Sequence, residues 1–269
     1  MMRYREISCK TALNPSRLPG LDYSLNPYLG CEHACVYCYA PVTLHYAGDV
    51  KWGEFASAKT NIPAVLEKEA RKKKPGMVGL STVCDPYQPL EKKLELTRKC
   101  LDVLLVKNFP VCIQTKSSLV LRDIDLIKEF KTIELGMTVT TLDDRLSKLI
   151  EPGAAPASER IRTLRHASDQ GIDTWAFIGP VIPGIMDADG LAVVLEDIKS
   201  AGVSRVMIDR LRLKDGMWNN ILNRLQENEH DIASDCINAL FHDDGFFASI
   251  RDDAVRLCEG LGLKYEICY

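Results

Sequence analysis

Short apolar runs alternate along this chain with stretches of helical spacing, and that alternation constrains the fold more than any other feature. The runs are MVGLSTV (77–83), PVCIQT (110–115), IELGMTVT (133–140), DTWAFIG (173–179) and SRVMID (204–209), with a shorter one at 22–28. They are continuously apolar, the pattern of strands covered on both faces. Between them the spacing predicts helices over 61–74, 90–107, 121–130, 143–150, 157–170, 187–201, 216–229 and 246–261. Asn61 is placed to cap the first of these, and Pro75-Gly76 to close it. Strand–helix alternation means parallel βαβ units. Six units predict an α/β fold built as a partial (β/α)6 TIM-like barrel, with a doubly wound open sheet as the alternative. The rhythm breaks after about Leu213. This divides the chain into a barrel over 1–213 and a small C-terminal helical and strand extension over 214–269 that caps it.

A chain of 269 residues that is 46% hydrophobic has enough material for a sizeable core. Its net charge of −3 does not mark it as a nucleic-acid binder. There is no apolar run of about 18 residues, so no membrane span is expected. The N-terminal MMRYREISCK is polar, without the pattern of a secretory signal. The expected compartment is the cytoplasm, and the ten cysteines are expected to be reduced.

In barrels of this kind, function collects at the C-terminal ends of the strands. Those ends carry STVCDPYQP (81–89), TKSS (115–118), TVTT (138–141), GPVIPG (179–184) and DRLRL (209–213), polar or Gly/Pro-rich where the strands are apolar. The first end carries NPYLGCEHACVYCYA (26–40), with Cys31, Cys35 and Cys38 spaced C-x3-C-x2-C. Three thiolates on a [4Fe–4S] cubane leave one iron without a protein ligand. The amino and carboxylate groups of S-adenosylmethionine (SAM) suit that open position. Zinc is the competing reading, with His33, His45 or Cys9 as fourth ligand, although zinc sites more often use C-x2-C pairs. Three plain buried thiols are a third reading. In the 81–89 turn, Pro86 and Pro89 fix the backbone that carries Asp85 and Gln88. Thr138 and Thr140 share one side of their strand by the period of two. Cys84 stands three residues after Ser81, as a hydrogen donor or a small core thiol.

These motifs, C-x3-C-x2-C with an aromatic before the last cysteine and its flanks from about Asn26 to Leu213, resemble the radical SAM superfamily, in its spore photoproduct lyase-like, DNA-repair photolyase-related branch. The resemblance implies a partial (β/α)6 barrel. It also implies a lyase-like or substrate-modifying enzyme that cleaves SAM reductively at a [4Fe–4S] cluster, generating a 5′-deoxyadenosyl radical. It implies an electron donor such as flavodoxin or ferredoxin, and nucleic acid as a candidate substrate. Cys31, Cys35 and Cys38 match the cluster ligands. Tyr37 matches the residue beside the adenine, and Tyr39 a tyrosine near the reacting centre. Ser81 and Thr82, with Asp85 beyond them, match the strand end that meets the aminomethionine of SAM. Lys116 is placed to pair with the SAM carboxylate, Thr138 and Thr140 to hydrogen-bond SAM, and Val181 and Gly184 to flank the adenine. Three departures stand out. Gly153 follows Glu151-Pro152 where the family has arginine, Cys84 is not in the lyase's donor slot, and the C-terminal segment does not resemble the lyase's DNA-binding part. A zinc-stabilised binding module without catalysis is the alternative to this enzyme.

Overall fold

The computed structural model describes residues 2–214 and 216–269. Its main sheet contains seven parallel strands: β1 Tyr23–Leu25, β2 Val78–Leu80, β3 Val111–Thr115, β4 Ile133–Thr138, β5 Asp173–Val181, β6 Arg205–Arg210 and β7 Lys264–Ile267. Each strand pairs in parallel with the next in chain order, and Asn14–Pro15 adds a short antiparallel edge beside β1. A doubly wound sheet needs a point where the strand order reverses, and this sheet has none. The sheet winds in one direction, as a partial TIM-like barrel.

Helices Ile62–Ala70, Leu96–Val106, Ala157–Asp169 and Ala188–Ser200 lie between successive strands in the chain. Their apolar stripes bury Leu66, Leu101, Leu104, Leu164, Leu195 and Ile198 in one core with Ile113, Leu135, Ile178 and Ile208 of the strands. A side chain of this size contributes about 1.5–3 kcal/mol when fully buried.

The elements depart from the sequence expectation where polar side chains override spacing. Glu95 adopts a left-handed conformation and splits the 90–107 helix into Glu91–Leu94 and Leu96–Val106. The break lets the Glu91 carboxylate accept the Thr97 and Arg98 amides at 2.9 and 3.3 Å. Asn61 precedes its helix but does not cap it; its side-chain amide pairs with both backbone groups of Cys9 at 2.8 and 2.9 Å. In place of one helix over 121–130, a 3-10 turn at Ser118–Asp123 leads into Ile124–Ile127.

Beyond residue 213, helices Met217–Asn228 and His230–Phe241 pack against the cysteine loop. Helix Phe246–Leu261 then packs on Ala188–Ser200 and leads into β7, a seventh helix–strand unit of the same sheet.

A second, three-stranded sheet was not foreseen from the sequence. Arg3–Ile7 pairs in parallel with Phe55–Lys59, which pairs antiparallel with Tyr28–Leu29, directly before the cysteine loop.

Candidate active site

The cysteine loop is clamped from several sides. Gly30 has φ +84°, and a Cβ there would sit 2.5 Å from the Phe55 carbonyl oxygen, so only glycine lets the loop leave the small sheet at this point. Gln88, fully buried, donates to the Gly30 carbonyl and accepts the Glu32 amide at 3.0 Å. The Glu32 carboxylate accepts the Leu90 amide at 2.6 Å and the Tyr4 hydroxyl at 2.7 Å. Asp85 fills both its oxygens with the Thr115 hydroxyl (2.7 Å), the Lys116 amide (2.8 Å) and the Tyr87 amide (2.9 Å), and His33 Nδ1 lies 3.3 Å away. Burial alone would raise this carboxyl. His33, the Thr115 hydrogen bond and Lys116 outweigh burial and hold it well below the usual carboxylate range. Asp85 thus ties together the cysteine loop, the turn after β2 and the end of β3.

All three thiols are pushed up by burial, Cys35 to about 12; Asp85 and Cys35 raise Cys31 further, and Glu151 and Cys38 raise Cys35 further. The Trp52 indole N–H has no oxygen or nitrogen partner, and its contact with the Cys38 sulfur opposes part of that rise. Lys116 opposes the rise at both Cys35 and Cys38. Burial by itself would lower the Lys116 ammonium. Cys35, Glu151 and Asp85 reverse this and keep it charged, 5.8 Å from the centre of the Tyr37 ring.

Behind Lys116 is a buried charge network. The Tyr37 hydroxyl donates to Glu151, whose other oxygen pairs with Arg160 at 2.5 Å, and neither charged side chain is exposed. Arg160 also donates to the carbonyls of Ala155 (2.8 Å) and Thr138 (3.1 Å) and to the Ser147 hydroxyl (3.3 Å). Burial would raise Glu151, but Arg160 and then Lys116 hold it low. A Cβ on Gly153 would overlap the Glu32 carbonyl oxygen, so no arginine fits after Glu151-Pro152. The guanidinium on Glu151 comes from Arg160, in the next helix.

The remaining expected residues divide. Ser81 ends β2 with φ +64°, a left-handed conformation that costs a non-glycine residue about 1–2 kcal/mol. Asn26 Oδ1 accepts the Thr82 amide at 3.0 Å, and the Thr82 carbonyl accepts the Tyr39 hydroxyl at 2.6 Å. The Thr138 hydroxyl accepts from Gln114 at 3.2 Å. Thr140, just past the end of β4, has a buried hydroxyl with no partner. Val181 belongs to the main core. Gly184 has φ +79°, and a Cβ there would sit 2.9 Å from the Ile232 carbonyl oxygen, so this glycine admits helix His230–Phe241. Cys84 packs with Tyr28, Ala56 and Ala58 of the small sheet, its thiol pushed up to about 11 by burial. Arg160, Glu32, Asn26 and Trp52 were missed. Each is a lone polar or aromatic residue in an ordinary pattern; Glu32 and Asn26 find their partners more than 50 residues away, and Arg160 finds Glu151 across a turn.

The model of the Radical SAM superfamily matches residues 25–194, and the chain belongs to that superfamily. It is therefore an enzyme rather than a zinc-stabilised module, and the family implies SAM and an iron–sulfur cluster. An uncharacterized protein of Methanocaldococcus jannaschii is 39% identical over 68% of this chain and 70% of its own length. An uncharacterized protein of Mycobacterium tuberculosis is 31% identical over 78% of this chain and 66% of its own. A Pseudomonas phage M6 protein named radical SAM Nalpha-GlyT isomerase is 25% identical over 68% of this chain, but over only 38% of its own length. Among solved structures, a mutant spore photoproduct lyase with bound AdoMet and dinucleoside spore photoproduct superposes with a TM-score of 0.72 at 13% identity, covering 98% of this chain and 81% of the other. Streptococcus suis SuiB bound to its precursor peptide SuiA gives 0.52 at 14% identity, over 84% and 47%. These likenesses show the fold. No helix among the described residues is long and apolar enough to cross a membrane.

Proposed function

We propose that Cys31, Cys35 and Cys38 hold a [4Fe–4S] cluster, and that SAM binds at its open iron and is cleaved reductively. The observation that carries this is the placing of three thiols in one clamped loop, with the charged Lys116 ammonium acting on two of them. No three His, Cys, Asp or Glu side chains among the described residues are set to share a single ion. This spacing suits a cubane, where each thiolate takes a different iron, better than zinc. When bound, the cluster supplies the electron that breaks a SAM carbon–sulfur bond and yields a 5′-deoxyadenosyl radical.

Each residue of the chain has a distinct task in this reading. Lys116 neutralises the SAM carboxylate, and the unpartnered Thr140 hydroxyl takes up a SAM hydrogen bond. Ser81 and Thr82 present the strained end of β2 to the aminomethionine group, and Asp85 holds the Lys116 backbone in place. Thr138 supports Thr140 from β4. Tyr37 braces Lys116 from below, and Val181 and Gly184 shape the wall on the adenine side. Tyr39, 48% exposed, is the hydrogen relay for a substrate radical. Cys84 is turned into the small-sheet core and serves packing. A nucleic-acid substrate is the reading that the likeness to a lyase with a bound dinucleoside supports.

The test is anaerobic reconstitution. The protein should take up iron and sulfide, turn brown, and release 5′-deoxyadenosine from SAM when reduced with dithionite. A colourless protein with stoichiometric zinc overturns the reading.

Replacing Lys116 with Met keeps the aliphatic stem and removes the charge. SAM binding should weaken by about 1.5–3 kcal/mol, as for a hydrogen bond to a charged group. Equilibrium binding to the reconstituted protein checks this, with cluster content unchanged; unaltered affinity rules the role out.

A further inference from the structure

We infer that the depression beside His33 is where a small acidic redox protein docks to deliver the electron. The inference rests on the cluster reading above and assigns it a partner surface.

The cysteine loop is covered on most of its faces. Helices Met217–Asn228 and His230–Phe241 cover Cys35, Val36 and Tyr37. Phe55 backs Gly30. The bend at Glu32 and His33 is closed by Gly153, whose amide donates to the His33 carbonyl at 2.9 Å. A Cβ at Gly153 would overlap the Glu32 carbonyl oxygen, so the loop's cover here has no side chain. A cavity of about 410 Å³ opens at this point, lined by His33, Tyr87, Lys92, Ser117, Arg122 and Gly153 among others. His33 stands between Cys31 and Cys35, two residues from each, so the cavity floor is the segment joining two of the proposed cluster ligands.

The charge of this surface selects the partner. None of its lining residues is a carboxylate. Arg122 is already neutralised by the buried Glu91 and Asp123. Lys92 and Lys93 are exposed, and neither has a carboxylate within 4.0 Å among the described residues. Lys92 lines the cavity over the cluster loop and Lys93 follows it in the chain; two uncompensated ammonium groups there suit an acidic surface, drawn in by long-range attraction. In the step itself one electron leaves the reduced donor and enters the cluster, and no bond is made.

The test uses reconstituted holoenzyme and reduced flavodoxin, following bleaching of the cluster by stopped flow. Lys92→Glu combined with Lys93→Glu should slow flavodoxin-driven reduction about tenfold or more at low salt, and the wild-type rate should fall with ionic strength. Reduction by dithionite, which needs no docking, should be unchanged. Equal flavodoxin rates in wild type and variant overturn the proposal. So does an equal slowing with dithionite, which marks cluster damage. If a single-stranded oligonucleotide loses affinity in the variant while the flavodoxin rate holds, the surface belongs to substrate and the proposal fails. A wild-type protein that takes up no cluster overturns the cluster reading itself.

Discussion

Cys35→Ala should leave the reconstituted protein without its iron–sulfur absorbance and without SAM cleavage. In the proposed site three thiolates are the whole protein ligand set, so removing one leaves two irons open and the cluster exposed to loss. The fold should survive. Cys35 is half-buried among Ile150, Met217 and their neighbours, and a small apolar replacement there costs about 1–2 kcal/mol at most. Iron and sulfide analysis, with circular dichroism as control, decides the matter; a full cluster in the variant would overturn the assignment. Because burial pushes the Cys35 thiol up to about 12, cluster assembly must displace protons, and uptake should strengthen as pH rises.

The second large effect concerns stability. Arg160→Met should destabilise the protein by about 3–5 kcal/mol, since it leaves the Glu151 carboxylate buried without its main partner. The pH dependence separates this cause from lost packing. In the wild type Glu151 is held below its ordinary value, so its contribution is present above that value and is lost as pH falls through the lowered one. Without Arg160 the main group opposing burial is gone, so Glu151 rises from its wild-type value and the deficit grows as pH rises and the carboxyl ionises. The deficit should therefore be smaller near pH 5 than near pH 8 (about one unit either side of neutrality or more). Denaturant unfolding at the two pH values measures it, and an equal deficit at both would assign Arg160 to packing alone.

Most barrel strands were legible because a continuous apolar run carries the signal whatever surrounds it; β2 is buried throughout, and β4 and β5 over most of their length. β7 was not, because KYEI is an edge strand with charged residues and one neighbour. Of the small sheet, the edge strand Arg3–Ile7 escaped for the same reason, being exposed along most of its length. Of the candidate site, the three cysteines are a local pattern and could be read directly. Lys116 was legible from its place after a buried strand. Arg160 was not, since its importance depends on Glu151, nine residues earlier and across a turn, and nothing in SERIRTLRHA distinguishes it from a solvated helix arginine. Asp85 was read as facing cofactor, whereas its oxygens are occupied by three donors from its own and a neighbouring segment. Proximity in three dimensions decides which polar residues are structural, and spacing along the chain does not report it.

The cover over Cys35 and Tyr37 comes from helices that begin at Met217. A ribosome adding 5–20 residues per second takes about 10–35 s to cross the roughly 180 positions from Cys38 to that helix. Throughout that interval the thiols have emerged and the lid over them has not been made. The order of synthesis thus leaves the nascent cysteine loop open on one flank to whatever delivers iron and sulfide, and equally open to oxidants, until the last fifth of the chain arrives to close it.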